Sequence, residues 1–143
     1  MGGWGTGSFE NDDAQDFLGQ LKSLRIEDLR RILARAADQE SYLEAPESSA
    51  AIAAAEVVAA LVISAQEAAA KEEALPPAAP RQITDWIKIS EHKAGTPPDL
   101  VDLARRAVER VRINSELKDL WLEADGLNEW NAALRGLEER LRG

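Results

Sequence analysis

Four carboxylates fall within seven residues near the start of the chain: Glu10, Asp12, Asp13 and Asp16. Hard cations such as calcium and magnesium bind through clustered carboxylate oxygens, so this run is the first place to look for metal chemistry. Its spacing departs from an EF-hand loop, which needs a glycine at the sixth position and a bidentate glutamate at the twelfth. Asn11 followed by Asp12 and Asp13 is also how a helix begins. A capping side chain satisfies a free N–H, and each first-turn acid gains roughly 0.3–1 kcal/mol from the helix dipole. The helix start is the expected role, and no metal site is assigned.

Glu56 poses a different problem. It stands among Ala53, Ala54, Ala55, Val57 and Val58, and a carboxylate buried there has to be paired or to shift its pKa. Backbone amides of Gly5 to Ser8, or the Trp4 indole, would satisfy it by docking the N-terminal segment. Alternatively Glu56 meets Glu10, Glu44 or Glu116 as a carboxylate pair suited to acid–base or metal work. Structural pairing is favoured, because buried acids are usually hydrogen-bonded rather than reactive.

Other reactive side chains are scarce. The chain has no cysteine and one histidine, His92, which removes disulfides, thiolate zinc sites and cysteine nucleophiles and forces any Ser–His–Asp triad through His92. Lying beside Lys93 near an expected helix end, with no motif partners, it reads as a solvated imidazole. Trp4, Trp86, Trp121 and Trp130 each offer a large apolar area and one N–H donor. Trp121 and Trp130 fall in helical apolar stripes and are expected in the core, which leaves Trp4 with the better claim to a special role. No catalytic residue, phosphate-binding loop or cofactor motif emerges, so no cofactor is expected.

The charge balance is 17 Lys+Arg against 26 Asp+Glu, a net of -9. Such a chain repels nucleic-acid phosphates and anionic lipid surfaces, so neither nucleic acid nor membrane is an expected partner. Acidity is concentrated early: residues 1–24 carry a net of about -3 and residues 45–80 about -4, while the remainder from residue 81 is near neutral. With 45% hydrophobic residues in 143, one domain spanning residues 1–143 can bury an adequate core. The longest nearly apolar stretch, Ser48 to Ala65, is interrupted by Glu56, and the N-terminus lacks the basic and apolar regions of a signal peptide. A cytoplasmic location is expected. Met1-Gly2-Gly3-Trp4-Gly5-Thr6 fits the myristoylation pattern, but no polybasic patch follows, and glycines that shape a tight segment explain it better.

The elements that must position these residues are all helical. Trp4, Gly5, Gly7 and Phe9 belong to an opening segment expected to be an ordered arm with its aromatics pinned on a core. A first helix presents Ala14, Phe17, Leu18 and Leu21; a second presents Ile26, Leu29, Ile32, Leu33 and Ala36. Pro46 opens a long alanine-rich helix through Ala70, whose apolar residues Ile52, Ala53, Val57, Val58, Leu61, Val62 and Ile63 cover more than one face, as a central helix requires. Lys71 to Gln82, with Pro76, Pro77 and Pro80, reads as a surface connector. A short helix capped by Thr84 carries Ile83, Trp86 and Ile87. The next begins at Thr96-Pro97-Pro98-Asp99 and buries Leu100, Leu103, Ala104, Ala107, Val108 and Val111. A second apolar set, Ile113, Leu117, Leu120, Trp121 and Ala124, is out of phase with it, which predicts a break near Ser115, with that serine as cap. Gly126 precedes a last helix with the stripe Leu127, Trp130, Leu134, Leu137 and Leu141. The predicted architecture is an all-α, compact single-domain bundle of about six or seven helices.

The opening run Met1-Gly2-Gly3-Trp4-Gly5-Thr6-Gly7-Ser8-Phe9-Glu10-Asn11-Asp12-Asp13-Ala14 resembles the signature of a bacterial family known as domain of unknown function 4259. The resemblance continues through Tyr42-Leu43-Glu44, Ala54 to Ala60, Ser115-Glu116-Leu117, Trp121 with Glu123, and Trp130. It implies a bacterial cytoplasmic protein and brings no reaction, ligand or catalytic residue. The leading expectation is therefore a non-enzymatic helical module that binds a protein partner, with homo-oligomerisation left open. One alternative is a carboxylate-based cation-binding protein or metal-dependent hydrolase using Glu10, Asp12, Asp13, Asp16, Glu44, Glu56 or Glu116. Another is an acidic immunity-type protein that neutralises a basic partner.

Overall fold

A computed structural model describes residues 12–39, 41–69, 82–83, 85–86 and 97–142. Among them are six α-helices: α1 (Asp12–Gln20), α2 (Ile26–Ala37), α3 (Ala45–Ala69), α4 (Pro98–Ile113), α5 (Glu116–Glu123) and α6 (Leu127–Arg142). No strand occurs among the described residues. The all-α expectation holds.

Local sequence accounts for most helix ends. Asp12 and Asp13 occupy the first turn of α1, where the helix dipole favours negative charge. The backbone N–H of Arg25 donates to the Asp28 carboxylate at 2.8 Å at the start of α2. Pro98 opens α4, at a position where a missing N–H costs nothing. Ser115 stands between α4 and α5: its hydroxyl donates to the Val111 carbonyl at 2.7 Å and accepts from the Lys118 N–H at 3.1 Å. One buried side chain thus satisfies orphan groups on both helices.

α3 is the axis of the molecule. From Ala51 to Leu61 every residue except Glu56 is buried, and all five other described helices pack against it. Alanines on several faces permit this, because short side chains let neighbouring axes approach closely. By length and hydropathy Ala45–Val62 would also suffice to cross a bilayer, yet these residues form the interior around which the other helices gather. One apolar cluster joins Phe17, Leu29, Leu33, Val57, Leu100, Val108, Leu134 and Leu141.

The second apolar set is only partly buried. Leu117 is buried and Trp121 packs on the core at its edge, but Ile113 is 51% exposed and Ala124 is exposed. The break at Asn114 and Ser115 takes Ile113 off the stripe, and Ala124 lies beyond the last turn that touches the core. Residues 1–11, the body of the proline-rich connector, Thr84 and His92 lie outside the described residues, as do the expectations for them.

Candidate functional site at the Tyr42 loop and helix α5

The most elaborate polar construction among the described residues joins the loop before α3 to the start of α5. The Glu116 N–H donates to the Leu43 carbonyl at 2.8 Å, and the Glu116 carboxylate accepts from the Ala45 N–H at 2.9 Å. The two bonds form a reciprocal clamp that also satisfies a free amide at the α3 N-terminus. From the other side, Arg110 in the last turn of α4 donates to the carbonyls of Gln39, Ser41 and Asn114. A guanidinium has enough donors to bind three carbonyls at once, and here they tie the loop down.

What this anchorage presents is Tyr42. The residue is 51% exposed, and its hydroxyl donates to the Asp119 carboxylate at 2.6 Å. That hydrogen bond is the main reason its pKa rises from 10.0 to about 12, with the charges of Asp119, Glu116 and Glu123 acting in the same direction. At neutral pH the Tyr42 hydroxyl is protonated and held by Asp119. Leu122, 58% exposed, follows Asp119 by three positions on the helix, a spacing that makes them surface neighbours. Tyr42 and Leu122 are two of the three large apolar side chains exposed among the described residues.

At the far end of α5, Asp125 adopts a left-handed φ of 60°. The Gly126 N–H reaches back to the Trp121 carbonyl at 3.0 Å, and the Asp125 N–H to that of Leu122 at 3.3 Å, the paired bonds of a Schellman motif. Gly126 is needed for a separate reason: a Cβ there would sit 2.7 Å from Cε3 of Trp121. The Trp121 indole lies over the turn, half-buried.

The other candidate carboxylates lie apart. Asp12, Asp13 and Asp16 are exposed on α1. Glu44 is exposed, its carbonyl accepting from the Ser48 N–H and hydroxyl. Glu56 lies about 16 Å along α3 from the Glu116 clamp, taking 1.5 Å per residue. Both of its oxygens are engaged by Arg140 of α6, at 2.7 and 3.2 Å. No group of three or more metal-ligating side chains occurs among the described residues. Trp4, Gly5, Gly7, Phe9, Glu10 and Asn11 lie outside them, so the proposed docking of the arm on Glu56 does too.

A concavity of about 670 Å³, away from this face, opens between the end of α1 and the start of α2 and is lined by Leu18, Lys22, Arg25, Asp85 and Trp86 among others. Trp86 is buried against it and donates from Nε1 to the Leu24 carbonyl at 2.9 Å, which makes the ring a structural part of the wall.

Two segments that carried the family resemblance, Tyr42-Leu43-Glu44 and Ser115-Glu116-Leu117, are therefore the two sides of one clamp. A family model described as a domain of unknown function (DUF4259) matches residues 2–133. The chain belongs to this family. The match takes in α1 to α5 and the first half of α6, and hence the whole Tyr42–α5 construction. No curated protein and no solved structure matches the chain.

Sequence reasoning singled out Glu44, Glu116 and Trp121 but missed Tyr42, Arg110, Asp119 and Leu122. Arg110 carried a signal, since cations in a last helical turn favour the free carbonyls there. Tyr42, Asp119 and Leu122 carried little, because each is unremarkable until the loop is laid on the helix.

Proposed function

We propose that this DUF4259 protein is a non-enzymatic, protein-binding helical module whose contact surface is the Tyr42–α5 face. The single observation behind the reading is the exposed Tyr42 held by Asp119, one helical turn before the exposed Leu122. Tyrosine is enriched at interface centres because it brings a large amphipathic surface at small entropic cost, and a ring already immobilised loses less on binding. Tyr42 keeps its proton on a hydroxyl held by Asp119, while Glu116 bonds a helix-end amide and Glu56 pairs with Arg140.

Site-specific photo-cross-linking in cells that make the protein tests the reading. A photoreactive residue at Leu122 should give a discrete protein adduct, and one at the exposed Arg135 of α6 should not. Absence of an adduct from position 122, or identical adducts from both positions, would overturn it.

A further inference from the structure

We infer that the occupant of the Tyr42–α5 face is a basic, arginine- or lysine-bearing segment of a protein partner. The inference rests on the protein-binding reading and adds the chemistry of the partner. Between Ile113 and Leu134 the chain has five carboxylates, Glu116, Asp119, Glu123, Asp125 and Glu129, and one cation, Lys118. Counting charge over the whole region from residue 81 hides this, because the arginines of α4 and of the end of α6 cancel it.

Several arginines of the described residues are engaged with other carboxylates. Arg30 pairs with Asp99, Arg106 with Asp38 and Asp102, Arg112 with Glu138, and Arg140 with Glu56. Among the described residues no cation pairs with Asp119, which holds the Tyr42 hydroxyl, or with Glu123, four positions further along α5. The Tyr42 hydroxyl donates to Asp119, which leaves its oxygen lone pairs and the exposed part of the ring to a partner. A guanidinium or ammonium within about 6 Å of such a ring is attracted by its quadrupole. The carboxylates beside it accept charge-assisted hydrogen bonds from the same group, and the apolar stem of Arg or Lys can lie along Leu122. Phosphate-rich surfaces are repelled by the same charges. Asp12, Asp13 and Asp16 on α1 provide an internal comparison: they are exposed acids with no large exposed apolar side chain in their helix.

The test is a titration of the full isotope-labelled chain with an octa-arginine peptide at physiological salt, followed by NMR, with octa-glutamate as control. Shifts should concentrate at Tyr42 and residues 116–125. Tyr42→Ala or Glu123→Gln should weaken binding at least about fivefold, as expected on losing a cation–π or charge-assisted contact, and Tyr42→Phe should retain it. Glu123→Gln breaks no hydrogen bond described above, so it separates binding from folding. The triple variant Asp12→Asn, Asp13→Asn, Asp16→Asn removes more charge but should change affinity less than about twofold, because exposed charges off the site are screened. Equal weakening by the α1 triple variant, shifts spread over all acidic surfaces, or equal binding of octa-glutamate would overturn the inference. So would no binding at all. A cross-linked partner at Leu122 together with any of these results would leave the protein-binding reading standing and make the partner non-basic.

Discussion

Tyr42 is the only tyrosine in the chain, so its ionisation can be followed by ultraviolet absorbance without assignment. The Asp119 hydrogen bond places the midpoint near 12, and Asp119→Asn should move it back toward the ordinary value. The stability consequence has a definite sign. Above the unfolded pKa the unfolded chain releases this proton while the folded chain keeps it, so the stability linked to Tyr42 is fully present below pH 10.0 and is lost as pH rises toward about 12. The turn after α5 supplies a second residue-scale prediction. Gly126→Ala drives a methyl into the Trp121 ring and should cost about 1–3 kcal/mol in chemical denaturation, as overpacking does. Asp125→Gly relieves the left-handed backbone and should stabilise by about 0.5–1 kcal/mol. If the two substitutions acted alike, the separate roles given to these neighbours would be wrong.

At the scale of elements, the α4–α5 junction and the loop before α3 depend on a few polar side chains. Ser115→Ala removes a buried hydroxyl serving both helices and should cost about 1–2 kcal/mol, as the loss of a cap does. Arg110→Ala should act differently. It frees the carbonyls of Gln39 and Ser41, so amide exchange at Ala45 and Glu116, the two donors of the clamp, should accelerate more than exchange in the α3 interior. Uniform acceleration throughout the protein would mean that Arg110 supports the whole fold rather than the loop. The helices were legible because each carries its own period and end signals: the stripe of α4, the serine before α5 and the proline at the start of α4. The clamp was not, because its halves are about 70 residues apart, as the separation of 71 between Ala45 and Glu116 records, and neither half has a local pattern that requires the other.

For the whole molecule, α3 sets the energetics. All other described helices converge on it, so we expect a single cooperative unfolding transition. Ala54→Leu at the fully buried face should destabilise by about 1–3 kcal/mol through overpacking. The ion pair between α3 and α6 should respond asymmetrically, because the Glu56 side chain is 12% exposed and that of Arg140 45%. Arg140→Ala strands a nearly buried carboxylate and should cost about 1–3 kcal/mol, whereas Glu56→Gln leaves a cation that can reach water and should cost less. The opposite order would contradict the burial argument.

By itself the sequence determined the helical class, the central place of the alanine-rich segment and the break at Ser115, because hydrophobic period, helix propensity and capping act over a few neighbouring residues. It also required a partner for Glu56, since burying a carboxylate among alanines and valines demands one. Only the tertiary structure decided that this partner is Arg140, that Glu116 clamps the Leu43–Ala45 segment, and that Tyr42 bonds to Asp119. Those pairings join residues distant in the chain, and their geometry comes from how helices settle around α3, which no local pattern encodes.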